Sequence, residues 1–119
     1  MQTYMRETIL IVAEVPEIRA YLEQILIGAG YAVLATSGPE DAVSKATAFD
    51  GPIDLMISGL WLPTTTGVEL RRALSATRPG LRALYCSLDR PKTDGATRGS
   101  APPPAALIEL VRSALNEAA

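Results

Sequence analysis

The segment Ile9-Leu10-Ile11-Val12-Ala13 is apolar at every position. A strand with one wet face alternates apolar and polar side chains. An unbroken short run instead has to be covered on both faces, which is the situation inside a parallel sheet. Parallel neighbours cannot be joined by tight hairpins and need crossover connections, usually helices. The run therefore demands helices on both sides of the strand it forms.

The rest of the chain supplies them. Pro16 suits the first turn of a helix, and Ile18, Leu22, Ile25, Leu26 and Ala29 recur at helical spacing until Gly28 and Gly30 weaken and end it. Residues 31–35, 54–57 and 81–86 read as three further strands. Between them, Ala42, Val43, Ala46 and Phe49 mark the inner face of a second helix, opened by a Ser37/Glu40 capping box. Val68, Leu70, Ala73, Leu74 and Thr77 mark a third, opened by Thr66/Glu69. Gly51-Pro52 and Pro79-Gly80 break the chain between these units. Residues 87–104 are rich in Pro, Gly, Ser, Thr and charge and predict a long loop. A last helix starts near Pro104, with Leu107, Leu110, Val111, Ala114 and Leu115 on one side. Strands alternating with helices predict an α/β fold, a doubly wound parallel sheet. The 119 residues suffice for one core, so 1–119 is expected to be a single domain.

Several chemistries are excluded by composition. The chain has no histidine, which removes Ser-His-Asp triads, imidazole acid–base catalysis and most zinc sites. Cys86 is the one cysteine, so no intramolecular disulfide forms, which fits a reducing cytosol. No apolar stretch approaches the roughly 20 residues of a membrane span, and the first residues lack a signal-peptide cleavage pattern. A net charge of −2 with scattered arginines gives no footprint for nucleic acid or a membrane surface. The expected location is cytoplasmic.

Several phrases, in order, resemble the receiver domains of bacterial response regulators in two-component signalling. Residues 9–16, Ile-Leu-Ile-Val-Ala-Glu-Val-Pro, are similar to that family's first strand and the start of its first helix. Gly28-Ala29-Gly30-Tyr31-Ala32-Val33 resembles its helix-to-strand corner, and Ser37-Gly38-Pro39-Glu40-Asp41-Ala42 the opening of its second helix. The segment from Asp54 to Pro63, Asp-Leu-Met-Ile-Ser-Gly-Leu-Trp-Leu-Pro, followed by Gly67, resembles its third strand and phosphoacceptor loop. The resemblance extends from Thr8 to Ala118 and implies a flavodoxin-like receiver fold with strand order 2-1-3-4-5. The short stretch after Ser87 implies a last strand that is weak or missing and a fourth family helix that is shortened or absent. Tyr85-Cys86-Ser87-Leu88-Asp89 matches only loosely the Phe-Ala-Thr-Gly-Tyr motif of receivers with a shortened helix there.

Carried over position by position, the family's phosphorylation chemistry is mostly missing. Its paired acids fall on Ala13 and Glu14, its phosphoacceptor on Gly59, its switch hydroxyl on Ser87 and its lysine on Ser100. Mg²⁺ wants several hard oxygen ligands, and a carboxylate is needed as nucleophile. Glu14 is the one side-chain candidate for a metal ligand, so no intact metal site and weak or absent Mg²⁺ binding are expected. Glu14 equally suits the solvated edge of a sheet. Without histidine the chain is not a phosphorelay's histidine donor either.

The expected function is a degenerate, non-enzymatic receiver, a phosphorylation-independent protein-interaction module in bacterial signal transduction. Its partner would be a sensor kinase, another regulator or a second copy. A missing fourth family helix would bare apolar surface beside the fourth strand and the third and last helices. That predicts a homodimer, with Leu84 and Tyr85 as anchors. Trp61 reads either as core filler or as an exposed anchor. Two alternatives remain. One is a phosphorelay receiver with a non-standard acceptor. The other is a small flavodoxin-like ligand binder, against which the segment Ala13-Glu14-Val15-Pro16 offers no phosphate-binding glycines or hydroxyls.

Overall fold

The computed structural model describes residues 6–86 and 101–116. Strands β1 (Thr8–Val12), β2 (Ala32–Thr36), β3 (Leu55–Ser58) and β4 (Arg82–Tyr85) alternate with helices α1 (Pro16–Gly28), α2 (Pro39–Ala48) and α3 (Gly67–Ser75), and α4 (Pro104–Asn116) closes the chain. All strand pairs are parallel, in the order β2-β1-β3-β4. This is the flavodoxin-like receiver arrangement expected. The expectations of a weak last strand and a shortened family helix fall on residues 87–100 and lie outside the described residues.

β1 lies between β2 and β3, and all five of its residues are buried. Its alternate side chains feed two cores. Ile9 and Ile11 join Leu22 and Leu26 of α1 and Leu107 and Val111 of α4. Leu10 and Val12 join Ala42 and Ala46 of α2 and Leu70 and Leu74 of α3. Each helix thus centres its buried face on a pair spaced four residues apart, with Ile18, Tyr21 and Ile25 of α1 and Ala114 and Leu115 of α4 packed partly buried beside it. The stripes are narrower than the spacing predicts: Val43, Val68 and Leu110 face solvent, at 41%, 43% and 42% exposure. Ala29, Ala73 and Thr77 are exposed as well.

The helix starts obey local chemistry. Pro16 and Pro39 open α1 and α2, where a missing N–H costs nothing. Thr66 caps α3 by accepting from the Glu69 N–H at 3.1 Å, as its spacing predicts. The Ser37/Glu40 box does not form. Gly38 is the N-cap of α2, and Asp41 reaches back, its carboxylate accepting from the Ser37 N–H at 3.0 Å and hydroxyl at 3.3 Å. Proline at the first helical position moves the helix start one residue on from Ser37, so the carboxylate four residues along does the work.

Arginines tie the connections down. Arg78 donates to the carbonyls of Ala46, Phe49 and Gly51 at 2.8–3.0 Å, closing the end of α2 onto the turn into β3. Arg71 donates to Leu81 O, and Arg82 reaches Leu115 O on α4.

Candidate functional site

In a doubly wound sheet, crevices form beyond the carboxyl ends of the strands, where successive connections leave in opposite directions. Here that point lies between β1 and β3. The connection after β1 runs through α1 on one face, and that after β3 runs through α3 on the other. Val12 pairs with Ser58 at the last rung of the register, so Ala13 and Glu14 emerge beside Gly59.

The β1 side of this corner is closed. Ala13 is 1% exposed; its N–H donates to Thr36 O at 3.0 Å, and its carbonyl accepts from the Arg19 guanidinium at 2.8 Å. Thr36 in turn donates its hydroxyl to Ile11 O at 2.7 Å. Glu14 is exposed. On the β3 side Ser58 is fully buried and donates its hydroxyl to Gly59 O at 2.8 Å.

Gly59 is buried, and its backbone is not in the left-handed region that favours glycine. A Cβ built there would stand 3.5 Å from Trp61 O and 3.8 Å from Cys86 O, ordinary contact distances. The position therefore lacks a side chain without any steric or conformational need to lack one. Gly67 is the opposite case: a Cβ there would collide with Gly59 O and the Tyr85 ring. Between these two glycines the loop folds tightly, with Gly67 N–H donating to Leu60 O at 2.8 Å and Leu62 N–H to Thr65 O at 3.0 Å. A bridge between Trp61 and Thr66 braces it. Trp61 projects outward, 70% exposed, so it is not core filler. Leu60 is exposed as well.

Cys86 continues the rung beyond β4, its N–H donating to Ser58 O at 2.9 Å. Burial pushes its thiol above the usual range. Leu84 and Tyr85 are half-buried and point to opposite faces of β4, Leu84 against the α1/α4 core and Tyr85 against the α2/α3 core. They do not share one apolar face. Across the corner, a cleft of about 320 Å³ separates Ser37, Gly38, Pro39, Glu40 and Asp41 from Pro63 and Thr64. Among the described residues no three His, Cys, Asp or Glu side chains are placed to hold a metal ion.

The model of the response regulator receiver domain family matches residues 9–98. The chain belongs to that family. No curated protein matches it by sequence. Among solved structures it is similar to the CheY-like receiver domain protein of Methanospirillum hungatei JF-1, with a TM-score of 0.75 and 22% identity over 95% of this chain and 96% of that one. The Vibrio cholerae chemotaxis protein CheY4 gives 0.75 and 22% over 93% and 100%. The Thermotoga maritima response regulator TrrA, solved in complex with Mg²⁺-BeF, gives 0.58 and 25% over 66% and 67%.

As a receiver, the chain brings Ala13, Glu14 and Gly59 to one corner, with Trp61 on the loop beyond. Ser87 and Ser100 lie outside the described residues. The sequence reading missed Arg19 and quoted Ser58 and Gly67 only as part of the loop phrase; all three shape that corner. Arg19 carried one readable signal, its place in the first turn of the helix that leaves the strand.

Proposed function

We propose that this receiver domain of two-component signalling acts by protein contact without accepting a phosphoryl group. The observation that carries the reading is Gly59: a buried position at the end of β3, with room for a Cβ and no backbone demand for glycine, holds no carboxylate. Without a nucleophile there, no aspartyl phosphate forms at that position.

The neighbouring donor set does not fit Mg²⁺. Ala13 offers a methyl group, its carbonyl is taken by Arg19, and the Gly59 carbonyl accepts from Ser58 and is crowded by Gly67. Among the described residues Glu14 is the one carboxylate at the corner, far short of the near-octahedral oxygen set the ion requires. We derive no step through the metal.

The partner in this reading is a protein, a kinase, another regulator or a second copy, met in the bacterial cytoplasm. Incubation with acetyl phosphate and Mg²⁺, read by intact mass, tests it. No gain of phosphate is expected in the native chain. A stoichiometric gain of one phosphate sinks the reading.

A further inference from the structure

We infer that the loop carrying Trp61 docks a cationic segment of a partner protein, seated on the indole and held by carboxylates around it. This rests on the phosphorylation-independent reading above and names the chemistry of the partner. Trp61, Leu60 and Val68 are exposed at 70%, 44% and 43% and lie on one stretch of chain, the β3–α3 loop and the first turn of α3. Single exposed apolar residues need no explanation, but a tryptophan flanked by two more is the kind of patch that marks an interaction surface.

Among the described residues, acids collect at this end of the sheet. In this fold the helices begin at the carboxyl end of the sheet, and the first turns of α1, α2 and α3 hold Glu17, Glu40 with Asp41, and Glu69. Acids there are favourable to the helices themselves. Glu14 adds a carboxylate outside any helix, exposed at the end of β1. Among the described residues, two cations at this end are engaged: Arg19 on Ala13 O, and Lys45 on Ala35 O at 3.1 Å and beside Asp41 at 3.7 Å. Glu14, Glu40 and Glu69 make no ion pair among the described residues. The 320 Å³ cleft beside Glu40 opens against Pro63 and Thr64 on the same loop as Trp61.

An apolar centre with Glu40 across the adjoining cleft and Glu69 at the start of α3 complements an arginine-bearing segment. The guanidinium stacks on the indole face and its donors reach the acids, while leucine-like side chains cover Leu60 and Val68. A neutral partner leaves the carboxylates unused, and an acidic one is repelled.

Trp61 is the chain's single tryptophan, so intrinsic emission reports on this loop alone. The probes are a short peptide of Arg, Leu and Ala and the same peptide with Glu for Arg, each also carrying a fluorophore for anisotropy. The Arg peptide should shift Trp61 emission saturably, and the Glu peptide should not. Glu40→Gln with Glu69→Gln should weaken anisotropy binding about tenfold, as should Trp61→Ala. Glu23→Gln with Glu109→Gln removes the same charge from α1 and α4 and should leave binding unchanged. Equal weakening by both charge pairs shows diffuse attraction and overturns the proposal, as does full-strength binding by Trp61→Ala. No phosphodonor is present, so failure here leaves the phosphorylation reading standing. A phosphate mass gain would sink that reading and leave the binding result intact.

Discussion

Gly59 and Gly67 face each other across the β3–α3 loop, and only one of them has to be glycine. A Cβ on Gly67 would strike the Gly59 carbonyl and lie 2.9 Å from the Tyr85 ring; a Cβ on Gly59 would meet nothing nearer than 3.5 Å. Gly67→Ala should therefore cost about 1–3 kcal/mol through overpacking against backbone. Gly59→Ala should be neutral or stabilise by about 0.4–1 kcal/mol, because it restricts the unfolded chain without straining the folded one. Urea midpoints of the two variants check this; equal losses would show that the loop gives way at both positions or at neither.

Arg78 serves three carbonyls with one guanidinium. Bonds to a charged donor contribute more than neutral ones, and the three acceptors would lose it together. Arg78→Ala is expected to cost about 2–3 kcal/mol. Arg78→Lys should recover only part, since a single ammonium lacks the planar fork. Chemical denaturation of both variants tests the ordering, and full recovery by lysine would contradict it.

Asp41 gives a pH signature. The Ser37 backbone N–H holds its carboxyl below the ordinary value of 3.8; burial opposes this, and the charge of Lys45 adds to the lowering. The folded form is the stronger acid, so ionised Asp41 stabilises the fold. That contribution is complete above pH 3.8 and is lost as pH falls through the lower folded value. Asp41→Asn should lower the urea midpoint at neutral pH, and the gap from the native chain should close in acid. A gap that stays constant down to the acid limit would rule this out.

The Cys86 thiol is pushed up from 9.0 by burial alone. The thiolate is the reactive form, so iodoacetamide should modify the folded chain at pH 8 more slowly than the urea-unfolded chain. Comparable rates would mean that the sulfur is open to solvent.

Much of the fold was legible because it follows from local rules. The unbroken apolar run at Ile9 required a strand covered on both faces, and it received one. Pro16 and Thr66 marked helix starts by chemistry that needs no tertiary context. Legibility failed where a choice depended on neighbours. Val43, Val68 and Leu110 fit a helical stripe, yet the way each helix is turned against the sheet leaves them on its solvent side. At the site, the place of Gly59 just past the end of β3 could be read from the run Leu55-Met56-Ile57-Ser58. The need for glycine at Gly67 could not, because the colliding atoms belong to Gly59 and Tyr85, distant or unremarkable in sequence.

The Tyr21 hydroxyl donates to Pro102 O at 2.6 Å, fastening the lead-in to α4 onto α1. At the other end, Cys86 is fastened to Ser58 by its N–H. The two stems of the connection between β4 and α4 are thus each secured by residues outside it. The anchoring of α4 therefore has a lever on α1: Tyr21→Phe would release the lead-in at Pro102 while the Cys86 rung on Ser58 stays closed.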